Sequence, residues 1–238
     1  MKRPAFYAPV GSNAGDLVAI LHPPYTAWHL SHVAMGAAIA PRLDWLVLSG
    51  TLLAFVLGLG IGAHALDELH GRPLHTSLSR RALLGLGIGG MLGAAAVATA
   101  GAFIVSPWVL VWAAIGIALA VGYAFERPGP LHTPIGFALA WGAFPALIGY
   151  WAQAQTIGWA ALLMAGVAAL LSMAQRALST PARNLRRTVA HAELILERPE
   201  STERWEEEQI LSTWERPLKL LAAAVVTLAI GLLVARAV

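Results

Sequence analysis

The segment Gly62–Arg81, GAHALDELHGRPLHTSLSRR, places His64, Asp67, Glu68 and His70 within seven positions and follows them with Arg72, Arg80 and Arg81. Long apolar runs flank it on both sides. A carboxylate at the mouth of a membrane helix is costly unless it holds a cation, a partner charge or a substrate. On a helix His64 stands three positions before Asp67 and four before Glu68, so the three share a face. Three chemistries fit that face. One is an ion-pair cluster capping the helix. Another is a Mg²⁺–diphosphate half-site, with His64, Asp67 and Glu68 as ligands and the two acids as the catalytic pair. The third is a site for Zn or Fe, which imidazole suits better than it suits Mg²⁺.

A second group is basic. Thr180-Pro181 has the form of an N-cap hydroxyl followed by a first-turn proline, as do Ser106-Pro107 and Thr133-Pro134. The pattern predicts a new helix from Thr180, ended by Pro199, with Arg183, Arg186 and Arg187 in its first turns. Cations at a helix N-terminus oppose the macrodipole. A bound phosphate or diphosphate would remove that conflict, and snorkelling to anionic lipid would relieve it too. A second, acidic helix is predicted over Thr202–Glu215.

The elements that must position these residues are membrane helices. The chain is 58% hydrophobic and 12% charged, about half the charged share of a soluble domain. Seven apolar spans can be drawn, at 27–41, 44–64, 82–105, 107–125, 134–152, 156–175 and 217–237, near the length that crosses about 30 Å of hydrocarbon. The sequence therefore predicts an all-α polytopic transmembrane bundle. Residues 1–26 form a cytoplasmic tail, 27–238 a single helical domain, and 65–81, 126–133 and 176–216 its cytoplasmic loops. With this threading fourteen of the 16 Lys and Arg residues fall on the side of the tail, and only Arg42 and Arg236 on the other. That asymmetry sets the N-terminus in the cytoplasm and the loops with it, in the cytoplasmic membrane of a prokaryote. The pI near 9.7 suits anionic lipid and requires no nucleic acid. Without cysteine there is no disulfide, thiolate zinc site or thiol nucleophile. Glycine and alanine fill the spans and favour close helix packing, and Pro145 should kink the fifth. Pro73-Leu74-His75-Thr76 recurs as Pro130-Leu131-His132-Thr133, each ahead of a helix.

The order of these motifs resembles that of the UbiA superfamily of intramembrane prenyltransferases. The likeness rests on His22-Pro23-Pro24 before the first span, on Ala63–Asp67 with Arg72-Pro73-Leu74 after the second, on Tyr123–Arg127, and on Ala140–Tyr150 ending in Gly-Tyr. The resemblance implies binding of a prenyl diphosphate through Mg²⁺, an isoprenoid tail lying among the helices, and transfer to a lipophilic acceptor. It further implies that Arg72, Arg176, Arg183, Arg186 and Arg187 hold the diphosphate. The chain departs from the family pattern in three ways. Ala63 and His64 stand where the first acidic motif has Asn and Asp, and its later Asp maps near Gly71. Gln175–Arg187 carries no acid where the second acidic motif falls. The family's last two spans have no counterpart here. A non-catalytic relative that binds isoprenoid or phospholipid, or joins a membrane complex with a protein partner, is the alternative.

Overall fold

The computed structural model describes residues 13–125 and 129–237. Lys2, Arg3, Glu126 and Arg127 lie outside the described residues. A short helix, α1 (Asn13–Ile20), leads into α2 (Pro23–Ala38). Next come α3 (Trp45–Leu69), α4 (Arg80–Ile104), α5 (Trp108–Ala124), α6 (Pro134–Ala154) and α7 (Trp159–Thr188). A β-hairpin, β1 (Glu193–Arg198) with β2 (Ser201–Glu206), precedes the last helix, α8 (Glu207–Ala237).

Five of these helices, α3, α4, α6, α7 and α8, are long and apolar enough to cross a membrane. Their outward faces carry exposed Leu92, Phe103, Leu163, Leu170 and Leu220, a surface suited to lipid rather than water. The chain is a helical membrane protein. Where the sequence pattern draws a span at 107–125 there is a shorter apolar helix, α5. The span drawn at 27–41 begins earlier, at Pro23, and is 16 residues long.

α2 is the axis of the bundle. From Ser31 to Ala38 every residue is buried, among α3, α6, α7 and α8. Glycine makes this possible at the α2–α6 crossing. A Cβ on Gly36 would collide with the carbonyl of Ala146, and one on Gly149 with the carbonyl of Val33. Two reciprocal notches of this kind bring backbones together without side chains between them.

Two helices contain π-helical stretches, Val56–Ala63 in α3 and Leu139–Ala143 in α6. The second lies just before Pro145, so the predicted distortion there takes the form of wide turns within a continuing helix. The first ends at Ala63, directly before His64.

The polar segment 176–216 departs from the predicted pattern. α7 runs unbroken through Pro181 to Thr188, held by burial of Ser179, Ala182 and Leu185 and by the cluster that Ala182 and Leu185 form with Leu211. Thr180-Pro181 therefore does not start a helix. Arg186 and Arg187 lie in the last turn of α7, where the dipole favours cations, which removes the predicted conflict. The helix predicted from Thr180 stops at Thr188 and the one predicted over Thr202–Glu215 begins only at Glu207, because residues 193–206 pair as antiparallel strands from Glu193↔Glu206 to Arg198↔Ser201. The apolar stretch Leu194–Leu196 suits strand, Pro199-Glu200 turns the chain, and cross-strand charges close it through Arg198–Glu203 (2.8 Å) and Arg204–Glu193 (3.2 Å). The two PLHT segments do not repeat structurally. Thr133 caps α6 by accepting from Gly136 N (3.0 Å), whereas Thr76 lies in an irregular loop and α4 is capped by Ser79.

Candidate functional site

The end of α3, the start of α2, the end of α5, the first half of α6 and the last turns of α7 line a half-open chamber of about 100 Å³. Its walls are His22, Tyr25 and His29 from α1–α2, His64 and Asp67 from α3, Tyr123 from α5, Phe137 and Trp141 from α6, and Arg183 and Arg187 from α7. The helical spacing explains each set. Tyr25 and His29 are four apart, as are Phe137 with Trp141 and Arg183 with Arg187, so each pair presents one face.

Aromatic contacts brace the walls. The imidazoles of His22 and His64 lie 4.3 Å apart between centroids. Trp141 meets His29 edge-on at 5.8 Å and Tyr123 edge-on at 5.4 Å. His22 takes a left-handed backbone conformation (φ 43°) at the head of α2, and Arg72 and His75 do the same in the neighbouring loop. Left-handed non-glycine residues cost about 1–3 kcal/mol each and gather at functional sites. Burial holds His22 well below the ordinary imidazole pKa, and His64, Arg187 and Arg183 add to the depression.

Beside the chamber runs an apolar groove of about 410 Å³ between α3, α4, α5 and α6. Trp112 packs against Phe144 and Trp151 along its wall. Leu59, Ala120 and Trp141 line both chamber and groove. The two spaces adjoin across these three side chains.

The residues singled out from sequence divide sharply. His64 and Asp67 line the chamber, and so do Arg183 and Arg187. Glu68 does not. It is fully buried, and its two oxygens accept from Leu74 N (2.9 Å), Thr76 N (2.8 Å) and Thr76 Oγ1 (2.9 Å). Arg72 donates to the carbonyls of Thr76 and Leu78, both at 2.9 Å, and so knits the same loop. Arg186 forms a two-point ion pair with Glu215 of α8. Arg176 donates to the carbonyl of His132 (2.7 Å) and lies over the Phe137 ring, tying α7 to α6 behind the chamber wall. Asp16 of α1 accepts from Ser77 N (2.8 Å) and fixes the loop from its other side.

Among the described residues no three His, Asp or Glu side chains converge as a metal's ligand set. With Glu68 committed to its loop, Asp67 is the one carboxylate among the described residues that lines the chamber. Mg²⁺ favours near-octahedral oxygen coordination, and this donor set does not fit a resident ion. Sequence reasoning passed over His29, Tyr25, Tyr123 and Trp141 as site residues. The signal for Tyr25 and His29 was the stripe His22–Tyr25–His29, whose spacing of three and four marks one polar face; Tyr123 and Trp141 carried no such signal. No family model matches the chain, and neither a curated protein nor a solved structure matches it.

Proposed function

We propose that this membrane protein binds an isoprenoid diphosphate, with the charged head in the chamber and the tail in the groove, and transfers the prenyl group to a lipophilic acceptor. The observation that carries the reading is that a chamber with two arginines and an apolar groove share Leu59, Ala120 and Trp141 as wall residues. An amphiphile with an anionic head and a long hydrocarbon tail matches both at once. Arg183 and Arg187 offer the head two guanidiniums one turn apart, the geometry that suits phosphate oxygens.

The groove is long enough for an isoprenoid tail. Its lining runs along α3 from Leu46 to Leu59, a rise of about 20 Å at roughly 1.5 Å per residue. One leaflet offers about 15 Å of hydrocarbon depth, half of about 30 Å. The sequence motifs agree with this reading, since His22 lines the chamber and Arg72-Pro73-Leu74 forms the loop that Glu68 holds. This is the basis for proposing a divergent UbiA-like protein with its loops in the cytoplasm.

Charge on a departing diphosphate would be stabilised by the guanidiniums of Arg183 and Arg187. Asp67, on the same wall, balances part of their positive charge. The commitment of Glu68 to its loop favours a second reading, a non-catalytic carrier for the same lipid.

The test is thermal stability of the purified protein with geranylgeranyl diphosphate, with and without Mg²⁺, followed by pyrophosphate release in the presence of lipophilic acceptors. Stabilisation that falls in Arg183→Gln supports head binding, and pyrophosphate release separates enzyme from carrier. An unchanged melting temperature at saturating ligand overturns the proposal.

A further inference from the structure

The π-helical stretch Val56–Ala63 of α3 carries glycine at alternate positions, Gly58, Gly60 and Gly62. Glycine weakens a helix interior relative to alanine, so this part of α3 yields most easily to its neighbours. The neighbour that presses closest is Gly90 of α4. A Cβ there would stand 2.5 Å from the carbonyl oxygen of Leu57 and 2.6 Å from the backbone nitrogen of Gly62. Both are backbone atoms of the π-helical stretch, so only a residue without a side chain fits against it. From the other side, a Cβ on Gly62 would approach Met91 N at 3.2 Å and the carbonyl oxygen of Gly87 at 3.3 Å. The hydrogen bonds record the altered winding. The His64 N–H donates to the carbonyl of Ile61 and not to that of Gly60, as an α-turn requires. The Gly60 carbonyl accepts from His64 Nδ1 (3.2 Å).

The residues just beyond the stretch each meet different surroundings. Ala65 packs with Ile20 and Leu83, and the Leu66 side chain lies over Gly87. Asp67 lines the chamber, and Glu68 is held by the loop at Leu74 and Thr76. Successive residues of a helix point about 100° apart. A winding that gained or lost one residue would therefore bring Leu66 or Glu68 to the chamber in place of Asp67. We infer that Gly90, which touches neither chamber nor groove, is a positioning residue. By holding α3 in its π-helical winding it sets Asp67 and His64 on the chamber wall. Its effect on a ligand rests on the proposed head-group reading, whereas the direction of Asp67 can be read with no ligand present.

The chain has no cysteine, so Asp67→Cys and Leu66→Cys each report on one direction in the intact protein in lipid nanodiscs. Alkylation by iodoacetamide, a small neutral reagent, follows exposure of the thiol. Asp67→Cys should react about tenfold faster than Leu66→Cys, and equal rates would overturn the inference. Adding Gly90→Ala should slow Asp67→Cys about fivefold. Adding Gly89→Ala, the same change one position away where a Cβ meets nothing, should leave it unchanged. A contact that only packs the helices predicts loosening, in which both thiols react faster, and that result would overturn the inference, as would an unchanged rate in Gly90→Ala. Gly62→Ala approaches the same contact more gently and should slow Asp67→Cys in the same direction. Failure of both alanine variants to fold would make the crossing a packing necessity alone and would also overturn the idea. Gly90→Ala without a cysteine should weaken geranylgeranyl diphosphate about tenfold, with Gly89→Ala at the wild-type value. A slowed thiol with undiminished ligand affinity sinks the head-group reading and leaves the positioning role intact. Weakened affinity with an unchanged thiol sinks the positioning role alone.

Discussion

The imidazole of His22 lies against that of His64 with ring centroids 4.3 Å apart and planes tilted by 31°, joining the left-handed entry of α2 to the exit of the π-helical stretch in α3. Neither segment alone makes a chamber. Their contact closes one, with Arg183 and Arg187 of α7 on the same cavity.

That contact predicts a pH dependence. Burial, His64 and the two arginines hold the folded-state pKa of His22 below its unfolded value near 6.5. The unfolded chain then binds more protons between the two pKa values, so stability rises with pH across that window. Stability is fully present above about pH 6.5 and is lost as the pH falls toward the folded-state value. Melting temperatures measured from pH 8 to pH 5 should fall more steeply for the wild-type protein than for His22→Phe, which keeps a ring against His64 and removes the titration. Parallel curves would show that His22 is not responsible.

Asp67 and Glu68 are adjacent acids with opposite predicted phenotypes. Glu68→Gln replaces an oxygen facing backbone and hydroxyl donors by an amide NH₂, and should cost about 1–3 kcal/mol of stability. Asp67→Asn changes a chamber wall and should alter geranylgeranyl diphosphate affinity beyond any change in melting temperature. Differential scanning fluorimetry with and without the ligand separates the two effects in one experiment.

The same contrast holds at Arg186 and Arg187. The Arg186–Glu215 pair links α7 to α8 with both side chains mostly buried, at 20% and 11% exposure. Removing one partner of such a pair strands the other charge. Arg186→Gln should destabilise by about 2 kcal/mol, the range of hydrogen bonds to charged groups, with part restored by Glu215→Gln in the double variant. Arg187→Gln should weaken diphosphate binding about tenfold, as the loss of one charge-assisted contact does. An equal effect of the two substitutions on ligand affinity would refute the division of labour.

These contrasts also mark what the sequence could reveal. The length and apolarity of α3, α4, α6, α7 and α8 are local properties, and the runs announce them directly. So is the Thr133 cap. Thr180-Pro181 carries the same local signal, yet Pro181 lies inside α7 because the buried face of Ser179, Ala182 and Leu185 overrides it. Glu68 and Asp67 are indistinguishable in sequence, since what separates them is a loop that folds back over Glu68 from Leu74 and Thr76. The Arg186–Glu215 pair spans twenty-nine positions and has no local trace. His29 and Trp141 lie on different helices, and only their packing makes them one wall.

The groove supplies the last prediction. Gly116 of α5 lines it, and a Cβ there would meet only the Phe144 ring edge, at 3.4 Å. That is ordinary van der Waals contact, so the helix itself does not demand glycine at this position. A tryptophan at 116 would therefore project into the path of the tail while leaving the bundle's crossing points, Gly36 and Gly149, untouched. Filling the groove removes apolar contact worth about 25 cal/mol per Å² of tail surface. Gly116→Trp should thus weaken geranylgeranyl diphosphate at least tenfold and leave inorganic pyrophosphate binding unchanged. If both ligands weaken together, the tail does not lie between α5 and α6. If neither weakens, the groove is a lipid-facing cleft with no part in binding. Isothermal titration of the two ligands against the variant decides among these outcomes.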